Sequence, residues 1–325
     1  MISYLLHKIG YAFFTLFGVV TVVFLLFNIL PGDPARMMLG QNETAEQVAI
    51  VKKKYGFDQP LSKQYVYYLN DLSPISFHSL SKADHSYFSD KKYLGLKLFS
   101  IGEINVVLKA PYLRESFQKN GKKVSTVILE TLPNTIVLAI SSIFIAMVLG
   151  MSLGVISAMY KDSLIDKLIQ LVSTFGMSVP SFFSAILFAW FFGFLLHNYT
   201  GLNMTGSLYE VDDFGNGTYI QWKNLILPAV VLGIRPLAVL SQLMRNSLLE
   251  VLSTDYIRTA KAKGLSEFVI IRKHALKNAM NPVVTAISGW FASMLAGAVF
   301  VEYIFGWNGL GKEIVDALNT LDLPV

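Results

Sequence analysis

The sequence predicts an all-α integral membrane protein with five spans, and three observations carry that prediction. The chain of 325 residues is 53% hydrophobic and only 15% charged, where a soluble domain carries about a quarter charged residues. Its apolar residues are gathered into five long blocks rather than spread with an amphipathic period. Its basic residues fall unevenly between the connecting segments, the pattern expected where Lys and Arg set membrane orientation.

The first block, Ile9–Leu30, is an uncharged run of 22 residues. As a helix it reaches about 33 Å, enough to cross the hydrocarbon layer. A cleaved signal has a shorter apolar stretch, about 7–15 residues, and a small-residue cleavage site. Here the run ends in Leu30-Pro31-Gly32-Asp33-Pro34, a helix stop. Residues 1–30 therefore read as a retained anchor.

Residues 31–124 form a long hydrophilic insert, expected to be a small extramembrane subdomain. Amphipathic helices are predicted over Thr44–Tyr55 and Leu61–Leu72, whereas Ser73–Lys109 shows no countable period. The core, residues 125–325, holds the other four blocks: Leu132–Ala158, Leu168–Leu196, Leu225–Leu243 and Val283–Phe305. Pro180, Pro228 and Pro236 lie inside them and are tolerable where neighbouring helices satisfy the freed carbonyls. Gly150 with Gly154, and Ser293 with Gly297, stand one turn apart. That spacing lets backbones approach closely, and it reads as packing within one bundle rather than a dimer face.

Orientation follows from the short loops. Arg245–Pro282 holds seven Lys/Arg against three acids, Glu250, Asp255 and Glu267. His197–Asn224 holds only Lys223 against Glu210, Asp212 and Asp213, and the tail after Phe305 only Lys312 against Glu313, Asp316 and Asp322. The 245–282 loop and the N-terminus are thus placed in the cytoplasm, and the insert outside. Five spans leave the C-terminus outside, and the chain ends at Leu323-Pro324-Val325. A sixth helix is expected to be missing from it.

Catalytic chemistry finds little support. With no cysteines, thiolate metal sites and cysteine nucleophiles are excluded. His7, His78, His85, His197 and His274 fall on different segments without ligand spacing, so no metal, cofactor or Ser-His-Asp set is assigned. The net charge of +5 comes without an aromatic-basic recognition motif, which argues against nucleic acid. Gly306-Trp-Asn-Gly-Leu-Gly-Lys312 fits most of a phosphate-binding loop, but Glu313 stands where a hydroxyl is required and a membrane helix precedes it. A membrane-embedded enzyme would need clustered acids, histidines or serines near one interface. A purely structural anchor would leave the basic loop without a purpose. Two charged residues lie within spans, Arg235 in the fourth and Glu302 near the outer end of the fifth. Each is a candidate for the lining of a pathway, and Glu302 reads more readily as structural.

The 245–282 loop reads as two short helices, about Tyr256–Lys263 ending at Gly264, then Ser266 as N-cap to about Asn278. Small Ala260, Ala262 and Gly264 make a low ridge between basic side chains. Such a ridge suits a groove on a partner, with charges at its rim, and equally a helix lying on anionic lipid.

The segment Asp255-Tyr-Ile-Arg-Thr-Ala-Lys-Ala-Lys-Gly-Leu-Ser266, followed by His274-Ala-Leu-Lys-Asn278-Ala and Pro282-Val-Val-Thr, resembles the coupling ("EAA") loop of permeases from binding-protein-dependent ABC importers. Leu30-Pro-Gly-Asp-Pro-Ala35, Glu130-Thr-Leu-Pro-Asn-Thr135, Val179-Pro-Ser-Phe-Phe183 and Val301-Glu-Tyr-Ile-Phe-Gly-Trp-Asn-Gly-Leu-Gly311 resemble the first of two paired permeases in the dipeptide/oligopeptide/nickel branch. The resemblance implies a type I importer transmembrane domain in a bacterial inner membrane. It implies a second permease, two ATP-binding subunits at the cytoplasmic face and an extracytoplasmic binding protein as partners, with membrane lipid around the bundle. It implies docking of the ATPase on Asp255, Tyr256, Arg258, Ala260, Lys261, Ala262, Lys263, Gly264, Leu265, Ser266, His274 and Asn278. The stretch Ser73–Lys109 is longer than the family pattern, and Arg235 stands where an uncharged residue would be usual.

Overall fold

The computed structural model describes residues 2–29, 33–39, 43–81, 84, 86–89, 92–119, 121–212, 215, 217–296 and 298–325. Leu30-Pro31-Gly32 of the helix stop, His85, Asp213 and Gly297 lie outside them. The chain divides into two compact units, Met1–Ile128 with Asp316–Val325, and Leu129–Val315.

The first unit opens with α1 (Ile2–Ile29), followed by α2 (Pro34–Leu39), α3 (Ala45–Tyr55) and α4 (Leu61–Leu72). A capping box starts α3: the Gln47 N–H donates to Thr44 Oγ1 and the Thr44 N–H to Gln47 Oε1. Together these bonds satisfy two of the amides that a helix start leaves unpaired. Gly56 ends α3 at φ +74°, a left-handed position that costs glycine nothing. Helix α4 packs on α1 through Phe24, whose ring lies 5.1 Å from Tyr65 and 5.5 Å from Tyr68.

The rest of the insert corrects the all-α expectation. Strands β1 (Ile75–Ser79), β2 (Gly95–Ile101) and β3 (Ile104–Lys109) form an antiparallel sheet in the order β1–β3–β2. A strand period was hidden for two reasons. The β2–β3 register shifts between Lys97 and Phe99, and Val106 and Val107 are both buried although adjacent. Either feature breaks the alternation on which a strand prediction rests.

Polar residues hold this subdomain together. The Asp71 carboxylate accepts from Tyr93 Oη at 2.9 Å and Arg114 Nε at 2.8 Å. The buried Lys109 ammonium donates to the carbonyls of Asp71 and Ser73. His78 is fully buried between Phe88 and Tyr93, with Nδ1 2.7 Å from the Ser86 carbonyl and Nε2 2.8 Å from Ser76 Oγ. The carbonyl partner requires Nδ1–H, so in the neutral ring Nε2 accepts from the serine.

The second unit contains most of α5 (Val124–Met159) and then α6 (Leu164–Ser178), α7 (Ser181–Phe188) continuing as wide π-helical turns over Ala189–Leu195, and α8 (His197–Thr200). A small hairpin, β4 (Tyr209–Val211) with β5 (Thr218–Ile220), precedes α9 (Lys223–Leu252). Next come α10 (Asp255–Ala262) and α11 (Glu267–Val269), which leads through a π-helical turn over Ile270–Ala275 into α12 (Leu276–Leu295). Last are α13 (Val299–Phe305) and α14 (Leu310–Thr320).

Helices α1, α5 and α9 are each long and apolar enough to cross a membrane. The other two blocks are bent pairs, α6 with α7 at 104° and α12 with α13 at 54°, which makes up to five spans among the described residues. Pro228 and Pro236 sit inside α9 as anticipated, but Pro180 does not sit inside a helix. Its ring disfavours the α conformation at the preceding residue, and here Val179 is extended (φ −77°, ψ 128°) and α6 stops at Ser178. Gly150 and Gly154 face α9. A Cβ at Gly154 would lie 2.5 Å from the Ser241 carbonyl oxygen, and one at Gly150 2.7 Å from that of Leu237. The two backbones touch there, as small-residue spacing in spans allows.

Burial pushes the His78 pKa below its ordinary value. Between that lowered value and the unfolded one, near 6.5, the folded chain binds fewer protons than the unfolded chain. The stabilisation is thus complete above about pH 6.5 and is lost as the pH falls toward the folded value. Hydrogen exchange of β1 and β3 in the whole protein should show protection declining below about pH 6, and His78→Phe should flatten that decline. A wild-type profile unchanged between about pH 7.5 and 5 would refute it.

Candidate functional site

The basic loop is a compact, braced hairpin of two limbs. Helix α10 turns its Ile257 and Ala260 inward, onto a cluster with Leu248, Ile270 and Ala275. Ala260 is only 6% exposed, which corrects its place on the expected ridge. It shares a helix face with Ile257, three residues earlier, and follows it into the core. The exposed turn is Lys261, Ala262, Lys263, Gly264, Leu265 and Ser266. Gly264 takes φ +77° in open space, with nothing within 4 Å of a Cβ placed there. What selects glycine is backbone conformation, not room. Ser266 is extended and opens the second limb, which does not end near Asn278 but continues as one helical course to Leu295. Asn278 Nδ2 donates to Tyr256 Oη at 2.8 Å, and Tyr256 Oη lies 3.4 Å from the His274 carbonyl oxygen. These three predicted residues therefore brace one limb against the other. Arg258 pairs with Asp255 at 3.2 Å on the exposed side. Phe268, which sequence reasoning did not single out, is 66% exposed beside this turn.

Two buried carboxylates organise the helices behind the loop. Asp166, at the start of α6, receives a bidentate pair from Arg245 of α9, with Nε and Nη2 each at 2.7 Å. Ser157 Oγ, Gln170 Nε2 and the Asp162 N–H donate to the same carboxylate. Such planar pairing with further donors is the arrangement that a buried ion pair requires. Glu302 of α13 is fully buried and accepts from Thr135 Oγ1 at 2.8 Å and from the N–H groups of Gly311 and Lys312 at 2.6 and 3.3 Å. The Leu310 N–H donates to Thr135 Oγ1, Trp307 Nε1 to the Asn134 carbonyl, and Asn134 Nδ2 to the Asn308 carbonyl. The Glu130–Thr135 and Val301–Gly311 motifs thus form one structure. The glycine-rich segment that mimics a phosphate loop turns its amides onto an internal carboxylate. A Cβ at Gly309 would collide with that carboxylate.

Two cavities stand out. The larger, about 620 Å³, lies in the first unit. Of its three cations, Lys52 pairs with Asp33 at 2.6 Å and Arg114 with Asp71 at 2.8 Å, while the Lys92 ammonium lies over the rings of Tyr93 and Tyr112. The smaller, about 280 Å³, lies in the second unit where both bent pairs break, lined by Val179 and Ser181, by Ser293 and Met294, by Ala298 and Val299, and by Arg235 of α9. Non-helical backbone at membrane depth is tolerated where it lines a cavity. Arg235 makes no ion pair or hydrogen bond among the described residues.

Residues 150–325 match the family described as binding-protein-dependent transport system inner membrane component, and residues 1–86 match its N-terminal region. The chain belongs to this family. It is 30% identical to a dipeptide transport system permease protein of Alkalihalophilus pseudofirmus over 100% of this chain and 90% of that one. It is 32% identical to a di/tripeptide transport system permease protein of Pseudomonas aeruginosa, again over 100% and 90%. A glutathione transport system permease protein of Escherichia coli is 31% identical, over 100% of this chain and 89% of that one. The protein is a permease subunit of an ATP-driven importer in the inner membrane. ATP hydrolysis belongs to separate partner subunits, and a substrate-binding protein supplies the solute.

In this permease the loop residues were visible in the sequence, whereas Asp166, Arg245 and Ser157 were not. They lie on three different elements, and only the fold brings them together. Within α6, Asp166 reads as an ordinary acid in a first turn. Removing one partner of the pair leaves a buried charge uncompensated, which costs about 3–5 kcal/mol. Asp166→Ala and Arg245→Met should each lower the thermal stability of the detergent-purified importer, and the double variant should lose less than their sum. Strictly additive losses would show that the two charges are not coupled.

Proposed function

We propose that this permease carries peptides or peptide-like solutes inward as one of two paired, homologous permeases, with its ATPase docked on the turn Lys261–Ser266. The names of its relatives support the solute class, since dipeptides, di/tripeptides and glutathione share a peptide backbone. The five blocks act as spans of a type I importer domain, with lipid around them, the N-terminus cytoplasmic and the insert outside, as the positive loop requires.

The observation that carries the docking assignment is the braced loop. An exposed turn with basic side chains, stitched by Tyr256 and Asn278 and continuous with α12, can transmit force because neither limb bends independently. Ala262, Gly264 and Leu265 enter the partner's groove, while Lys261 and Lys263 set register at its rim. His274 and Asn278 brace the loop, and Ala260 supports it from within. ATP binding draws the partner subunits together, the loop moves with them, and the bundle passes from inward-open to outward-open. Each state is favoured only by contacts the other lacks. Arg235 and the cavity at the helix breaks face the translocation path, and Glu302 belongs to the scaffold.

Gly264→Val should leave the permease inserted and paired but uncouple ATP hydrolysis from uptake, because a β-branched residue resists the left-handed backbone. Replacing Lys261 and Lys263 with Gln should slow association and leave the coupling ratio intact. The measurement is substrate-stimulated ATPase activity of the reconstituted importer. Normal coupling in Gly264→Val, with failure of the Gln pair, would instead indicate a loop held on anionic lipid, where each lost charge costs about 1 kcal/mol.

Orientation is tested separately. A reporter active only in the cytoplasm should work when fused after Lys263 and stay silent when fused within residues 95–109. The opposite pattern would overturn the arrangement.

A further inference from the structure

We infer that Arg235 is a carboxylate-binding residue of the translocation cavity, taking the free carboxylate end of the transported solute. The inference rests on the reading of this cavity as part of the path. Arg235 stands near the middle of α9, twelve residues after Lys223, or about 18 Å along the helix. A cation at that depth faces a cavity or a partner, because hydrocarbon offers it no hydrogen bonds. Nothing within the described residues neutralises it, and among them it is the sole ionisable residue lining the cavity.

The hydroxyls around it behave in the same way. Elsewhere in the spans, Ser142, Ser152, Ser178 and Ser288 close on carbonyls one turn back, at 2.6–3.1 Å. Ser181, Ser184 and Ser293 line the cavity, and their hydroxyls donate to no described residue. A guanidinium with unused donors, accompanied by three open hydroxyls, matches a planar acceptor with two oxygens. The volume of about 280 Å³ falls below the range of pockets that enclose a drug-sized ligand, about 300–1,000 Å³. It suits the end of a solute rather than a whole peptide. Trp290 and Phe300 supply apolar wall beside the polar groups.

The chain has no cysteines, so Ser293→Cys places a single thiol in this wall. In the complete importer, reconstituted without its binding protein, alkylation of the introduced thiol by a small neutral maleimide is followed by mass on this subunit. Alanyl-alanine should slow the reaction, and alanyl-alanine amide should need about tenfold more to do the same. Adding Arg235→Gln should erase that difference, whereas Arg235→Lys should keep part of it. Equal protection by acid and amide would overturn the carboxylate assignment while leaving the path intact. Protection by neither probe would overturn the path reading itself. Loss of the second permease from the Arg235→Gln complex would show that an acid of that subunit is the true partner, and would equally refute the inference.

Discussion

A carboxylate buried among membrane helices must find donors on every side, because no water is there to supply them. The second unit contains two such carboxylates, and both hold α5. Thr135, a third of the way along that helix, donates to Glu302, and Ser157, near its C-terminal end, donates to Asp166. Twenty-two residues separate the two hydroxyls, about 33 Å of helix and close to the thickness of the hydrocarbon layer. The apolar length between them packs through Gly150 and Gly154 on α9. Helix α5 is therefore pinned by polar contacts at two levels and by bare backbone contact between them.

Much of this arrangement was legible from the residues. Apolar blocks gave five candidate spans, the amphipathic stretch from Thr44 gave α3, and the glycine and serine of the loop gave its two limbs. What stayed hidden shares one physical cause: it depends on partners distant in sequence. The sheet of the insert is masked by a register shift and braced by Asp71, Lys109 and Arg114, none of which carries a local signal. Ala260 reads as available for a groove because small residues look alike on either face of a helix, and only the cluster around Ile257 decides which way it points. Pro180 was a question of degree. Pro228 and Pro236 are absorbed within α9, whereas Pro180 follows the extended Val179 and opens α7.

The same reasoning explains the two charges noticed inside spans. Glu302 and Arg235 look equivalent in a hydropathy profile. In the fold they are opposites. One is enclosed by polar contacts, from Thr135 to the amides of the glycine-rich turn, and the other has none within the described residues. A buried carboxylate with both oxygens engaged is a fixed part of the frame. The exposed Arg235 guanidinium keeps its donors for something that comes and goes.

The second limb of the loop and the wall of the cavity are parts of a single rod, Glu267–Leu295, about 43 Å long at the helical rise. Phe268 stands at one end and Trp290 with Ser293 at the other. A rod that pivots between its ends behaves as a see-saw, so a tilt that carries the loop toward the bundle axis swings the far wall away from it. Narrowing at one face and widening at the other are then the same displacement, with no relay of intermediate residues to keep in step.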